Sequence, residues 1–95
     1  SNRGMVGMHG NYAPNLLTNE CDLLIAIGMR FDDRVTGDLT KYAKQAKIIH
    51  LELDPAEVNK NVKVCVALIA DCKVSLNELN KRISIKTYPK WIARF

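Results

Sequence analysis

Three short apolar runs constrain this chain more than any other feature: Leu23-Leu-Ile-Ala-Ile27, Ile48-Ile-His-Leu-Glu-Leu53 and Val64-Cys-Val-Ala-Leu-Ile69. They are too short for independent helices, and near-continuous apolar runs read as strands covered on both faces. The segments between them carry helix signals. Asn11 is placed to cap a helix with Pro14 in its first turn, ending near Glu20 with Leu16 and Leu17 inward. A short helical piece is expected around Asp38 to Lys44. Asp54 reads as an N-cap with Pro55 at the first helical position. Asp71 is placed to cap a longer helix, Cys72 to Ser84, with Leu76, Leu79 and Ile83 on one face. Pro89 starts another helix. Strands alternating with helices predict an α/β fold with a parallel sheet and right-handed crossovers.

A length of 95 residues allows one domain at most. Three strands with three or four helices do not cover both faces of a parallel sheet, so the chain reads as half of a larger doubly wound domain. Every apolar run, Leu23 to Ile27 included, is too short for a bilayer, and no secretory signal pattern stands at the start. Three cysteines, Cys21, Cys65 and Cys72, are an odd number without a framework spacing, which favours a reducing compartment. Cys21 and Cys65, in or beside apolar runs, read as small core residues. The net charge of +4 belongs to the C-terminal segment. From Lys73 to Phe95 there are six basic residues and one acid, while the other 72 residues hold eight basic against nine acidic. A solvated helix face is favoured over a nucleic-acid surface for those bases.

In open parallel sheets, ligands bind beyond the carboxyl ends of the strands. Here those ends read Gly28-Met-Arg-Phe-Asp32, Glu52-Leu-Asp54 and Ala70-Asp-Cys72. Carboxylates there can accept from ribose hydroxyls, and Arg30 and Arg34 can clamp phosphates. The glycine-rich loop from Gly4 to Gly10, leading into a helix, offers further N–H groups. Together these describe a nucleotide-shaped crevice. The structural alternative stays open: Asp54 and Asp71 double as helix caps, and the G-x-x-G-x-x-G spacing departs from the dinucleotide fingerprint. Zinc spacing, a P-loop and a nucleophile elbow are absent from the sequence. His50, in mid-strand, reads as a packed core histidine, and Met5, Met8 and Met29 read as packing residues.

Four strings carry a family resemblance. Gly7-Met-His-Gly10, Asn19-Glu-Cys-Asp-Leu-Leu-Ile-Ala-Ile-Gly28, Arg30-Phe-Asp-Asp-Arg-Val-Thr-Gly37 and Lys47-Ile-Ile-His-Leu-Glu-Leu-Asp-Pro-Ala-Glu57 resemble the large catalytic subunit of acetolactate synthases. The match runs from Gly4 to about Leu79, and the R-F-D-D-R-V-T-G string is its most specific part. The resemblance implies a three-layer, Rossmann-like half-domain: the second half of a six-stranded central domain that binds FAD. Residues 1–86 would belong to it, and 87–95 would start the connection to the next domain.

The resemblance also implies the function of the whole subunit. Two pyruvates, or pyruvate and 2-oxobutanoate, are joined to 2-acetohydroxy acids in branched-chain amino-acid synthesis. Thiamine diphosphate and Mg²⁺ are bound outside this segment, and FAD performs no net redox chemistry. By position, Val6, Gly7, Met8 and His9 would line the flavin side. Gly28, Met29, Arg30, Phe31 and Asp32 would form the main FAD-contacting turn. Glu52, Leu53, Asp71 and Cys72 would hold the adenosine end, and Asp33 and Arg34 would face the substrate channel and inhibitors. Expected partners are further large subunits, a small regulatory subunit and 2-oxo acid substrates, without nucleic acid or membrane, in a bacterial cytoplasm. The segment alone is expected to be inactive. Glu52 stands where the family more often has Asp. The alternatives are the central domain of another thiamine-diphosphate carboligase or decarboxylase, and a non-catalytic nucleotide-binding module.

Overall fold

A computed structural model describes residues 2–37 and 41–93. A loop leads into helix α1 (Tyr12–Glu20), then strand β1 (Leu23–Ile27) and a one-turn helix α2 (Asp33–Thr36). Strand β2 (Lys47–Glu52) is followed by a 3₁₀ turn (Pro55–Glu57), strand β3 (Val66–Ile69), helix α3 (Cys72–Arg82) and a short helix α4 (Pro89–Ile92). The three strands form one parallel sheet in the order β1-β2-β3, as the alternation of runs predicts.

Register decides which side chains share a face. Leu24 and Ala26 stand beside Ile48 and His50, while Ile25 and Ile27 stand beside Ile49 and Leu51. The first face is packed. Ala26, Ile48, Phe31, Tyr42 and Ala43 form its buried cluster, with Leu24, Met29, Ala46, Val62 and Val64 against it. On the second face Leu51 is fully buried, and α3 packs against β2 with Ser75 inward. Leu23, Ile25 and Ile27, however, are 46–48% exposed. The expectation that β1 is covered on both faces therefore holds for one face only. The reason is the shortage of helices foreseen from the element count: α3 packs on β2 and leaves β1 half-exposed.

Several local expectations are corrected. In the expected helix around Asp38 to Lys44, positions 38–40 lie outside the described residues and 41–46 form turns. Ala43 has φ 44°, a left-handed conformation that no α-helix continues through, and its N–H is held by Asn19 Oδ1 at 3.1 Å. The helix in this region is α2, inside the polar string, because Asp32 caps it. Asp32 O accepts from Thr36 N (2.9 Å) and Asp32 Oδ1 from Val35 N (3.2 Å). The long helix ends at Arg82, and the residue it buries is Ser75, whereas Leu76 is 37% and Ile83 65% exposed. Leu16 and Leu17 of α1 are half-buried, and Pro14 is its buried residue. Cys21 is buried as expected, but Cys65, which stands just before the edge strand β3, is exposed. The C-terminal segment is tied back to the start of the chain, since the Arg3 guanidinium donates to the Ile92 carbonyl.

Candidate functional site

The parallel sheet brings the ends of β1, β2 and β3 to one edge. At the first end the chain reverses through Gly28, at φ 60°. Gly28 N donates to Leu51 O at 2.8 Å, and a Cβ on Gly28 would meet only the Cys72 sulfur, at 3.5 Å. That Cys72 thiol lies 3.8 Å from Leu51 O, so the start of α3 abuts the first turn. Gly28, Leu51 and Cys72 thus draw the three strand ends together.

The rest of the first turn is held from below. The Met29 carbonyl is 2.8 Å from His50 Nε2. Phe31 is 5% exposed and packs edge-to-face on His50, with ring centroids 5.1 Å apart, and on Tyr42 at 6.1 Å. The Phe31 carbonyl accepts from Asn61 Nδ2 at 2.8 Å. Phe31 is therefore a pillar of the turn, with its ring spent on the core. Arg30 differs: its side chain is 75% exposed and its nearest anion, Glu57, is 3.9 Å away. An exposed pair at that distance contributes little, which leaves the guanidinium able to engage an anion. Asp32 is partly committed, through Oδ1, to capping α2.

At the second end, Glu52 Oε1 accepts from Leu53 N (2.9 Å) and Asp54 N (3.3 Å). Its other oxygen, Oε2, lies 3.7 Å from His50 Nε2. Leu53 is 66% exposed and presents an apolar surface at the edge. Asp54 Oδ1 accepts from Ala56 N at 2.9 Å, so this carboxylate is a cap, as its position before Pro55 implied. At the third end Asp71 stands at the N-cap of α3 but makes no side-chain cap bond, and it is exposed. Of the two carboxylates with a capping alternative, the structure commits Asp54 to it and leaves Asp71 free of it.

The glycine-rich loop forms a second group. Gly7, at φ 103°, donates to Asn15 Oδ1 at 2.8 Å and accepts from Asn15 Nδ2 at 3.0 Å. Its neighbour Met8 donates from N to Arg34 O at 2.7 Å. A side chain at Gly7 would meet that same Arg34 carbonyl at 2.9 Å. The structure thus brings Gly7 and Met8 to Arg34, with Met8, His9 and Arg34 exposed and Val6 half-buried. Gly7, Met8, Asn15, Arg34, Val35 and Tyr42 help line a cavity of about 320 Å³ there. A separate cavity of about 580 Å³ lies between Glu20–Leu23 and Tyr88 and Trp91, at the amino end of β1 and away from the strand-end crevice. The Asp33 side chain lies outside what the structure describes.

Three supporting residues went unread as such in the sequence. Asn15 and Asn61 bond to backbone eight and thirty residues away, and no short spacing signals that. His50 had a signal, a polar residue within an apolar strand. Among the described residues, Cys21 and Tyr42 have shifted titration. Burial pushes the Cys21 thiol up, opposed by its backbone hydrogen bond, and burial likewise pushes the Tyr42 phenol up. Among the described residues, no group of three His, Cys, Asp or Glu side chains could hold a metal ion, and no helix is long and apolar enough to cross a membrane.

A three-stranded parallel sheet with a glycine turn and carboxylates along one edge defines a Rossmann-like α/β domain. Residues 1–79 match the thiamine pyrophosphate enzyme central domain, and the chain belongs to that family. Within it, the chain is similar to large subunits of acetolactate synthase. It is 49% identical over 94 residues to the probable acetolactate synthase large subunit of Methanocaldococcus jannaschii, covering 96% of this chain and 16% of that protein. It is 54% identical over 76 residues to the acetolactate synthase large subunit of Cyanidium caldarium, covering 80% and 13% respectively. It is 51% identical over 81 residues to the acetolactate synthase isozyme 2 large subunit of Escherichia coli K12, covering 85% and 15%. The chain thus spans about a sixth or less of these relatives.

Proposed function

We propose that this chain is the FAD-binding segment of an acetolactate synthase large subunit, acting within a longer cytoplasmic bacterial enzyme. That subunit would condense two pyruvates, or pyruvate and 2-oxobutanoate, to 2-acetohydroxy acids for branched-chain amino-acid synthesis. The observation that carries the reading is the convergence of Gly28–Asp32, Glu52–Leu53 and Asp71–Cys72 at one sheet edge, in a chain about half identical to such subunits.

The residues present fit a flavin dinucleotide. Gly28 offers a place where, among the described residues, an added Cβ would meet just the Cys72 sulfur, so a ligand can approach the backbone. Glu52 keeps Oε2 for a ribose hydroxyl, Asp71 is uncapped and exposed, and Arg30 offers a guanidinium for a diphosphate. Leu53 would lie against the adenine. Val6, Gly7, Met8 and His9 would flank the isoalloxazine, carried there by the Met8–Arg34 backbone bond, while Asp33 and Arg34 would face the substrate channel. Residues 87–95 would lead towards the next domain. Thiamine diphosphate, with Mg²⁺ on its diphosphate, would be bound outside this segment and would supply the decarboxylation chemistry. Partners would be further large subunits, a small regulatory subunit and 2-oxo acids.

Expression of the full-length subunit that carries this segment tests the proposal. Purified protein should carry bound flavin, and should convert pyruvate to 2-acetolactate once thiamine diphosphate and Mg²⁺ are added. A full-length protein without flavin, or one that only decarboxylates pyruvate, would contradict it.

A further inference from the structure

We infer that His50 is a positioning residue: one buried imidazole holds the Met29 carbonyl, faces Glu52, and so sets two walls of the strand-end crevice relative to each other. The inference deepens the nucleotide reading of that crevice and rests on it for its functional consequence.

His50 is fully buried, and its Nε2 lies 2.8 Å from Met29 O. A carbonyl only accepts, so Nε2 carries the hydrogen, and in the neutral ring that leaves Nδ1 as a bare acceptor. Nδ1 is buried and has no hydrogen-bond partner among the described residues. A mere filler would be better served by an apolar side chain, because an orphaned buried acceptor costs stability that Leu would not. What His50 supplies in exchange is a single donor in mid-sheet, directed at the first turn. Without it, Met29 O, two residues beyond β1, would lose its partner. The same ring carries the Phe31 edge-to-face contact at 5.1 Å, so both the backbone and the pillar of the turn rest on it. Nε2 also stands 3.7 Å from Glu52 Oε2, beyond a hydrogen bond but close enough for its N–H dipole to orient that carboxylate. Glu52 follows His50 by two residues and shares its face of the sheet. Its Oε1 is pinned by Leu53 N and Asp54 N, so Oε2 is the oxygen left to turn. The imidazole thus couples the glycine turn of β1 to the carboxylate of β2.

The test uses the full-length subunit and the variants His50→Leu and His50→Gln. Leu keeps bulk and removes both nitrogens; Gln restores an amide N–H towards Met29 O. Backbone amide exchange across residues 28–32 in flavin-free protein should quicken about tenfold in His50→Leu, as one lost hydrogen bond implies, and return to near wild type in His50→Gln. Flavin Kd should weaken by a similar factor, about tenfold, in His50→Leu and recover in His50→Gln. Unchanged exchange in His50→Leu, or equal exchange in the two variants, overturns the positioning role. If the variants do not fold, ring ¹⁵N shifts of wild-type His50 decide: protonated Nε2 with bare Nδ1 supports the role, and the opposite tautomer overturns it. Wild-type protein that binds no flavin refutes the flavin reading alone, since exchange and tautomer are read without the ligand.

Discussion

Gly7 shows how one residue can carry a loop. Its φ of 103° is costly for any side chain, and an added Cβ would meet Arg34 O at 2.9 Å. Gly7→Ala should therefore destabilise the folded chain by ~1–3 kcal/mol, read as a shift in urea midpoint at constant slope. A midpoint equal to wild type would show that the loop does not depend on this backbone geometry. The two aspartates before helical turns make a sharper comparison. Asp54 makes its side-chain cap bond and Asp71 does not, so Asp54→Ala should cost about 1 kcal/mol and Asp71→Ala clearly less. Equal losses would contradict the assignment.

The buried thiol and phenol make a prediction about pH. The folded chain holds the Cys21 and Tyr42 protons more tightly than the unfolded one, whose ordinary values are 9.0 and 10.0. Below those values both states are protonated and nothing is gained or lost. As pH rises through them, the unfolded state releases protons first, and stability falls. Denaturation midpoints should begin to decline near pH 9 and go on declining above pH 10, and decline less in Cys21→Ala. A decline of the same size in both proteins would place its origin elsewhere. For Asp54 and Gly7 the sequence was readable because cap and turn chemistry is local. Asn15 and Asn61 escaped it because their partners are distant backbone groups that only the fold brings near.

At the level of elements, the three strands, their order of appearance and the 3₁₀ turn after Pro55 were all legible, since each depends on a local apolar run or a proline. Faces were less so. A continuous apolar run says that burial is possible on both sides; it does not say which side this stretch of chain can cover. In β2 the answer is both, and Leu51 is fully buried between its neighbours. Leu51→Ala should cost roughly 2–5 kcal/mol, while Ile25→Ala, on the half-exposed β1, should cost markedly less. Comparable losses would mean that β1 is better covered than its exposure indicates. The α2 helix was hidden for a related reason. Its four residues carry no periodicity, and only the cap made by Asp32 reveals it. In α3 the apolar stripe pointed to Leu76, Leu79 and Ile83; Leu79 is half-buried, but Ser75 is the buried residue, because a small side chain allows close approach to β2.

For the molecule as a whole, the half-exposed row Leu23, Ile25 and Ile27 marks a second sheet face that the described helices do not close. The size of the relatives gives that shortage its context, since the chain matches 13–16% of their length. That the three carboxyl ends share one edge was legible because strand direction follows from the crossovers. What the sequence could not separate was which edge residues face outward and which support them. Arg30 and Asp71 are outward, Phe31 and Asp54 are committed to the fold, and Asp32 is shared between cap and crevice.

That division gives the central claim its most direct measurement, the flavin content and flavin Kd of the full-length subunit with Arg30→Ala and with Lys44→Ala. Lys44 is exposed like Arg30 but lies in the turn segment between α2 and β2, away from the strand ends. Loss of one charge-assisted contact to a diphosphate predicts flavin affinity about tenfold weaker for Arg30→Ala and unchanged for Lys44→Ala. Equal flavin retention in the two variants would contradict the assignment of this sheet edge to the cofactor.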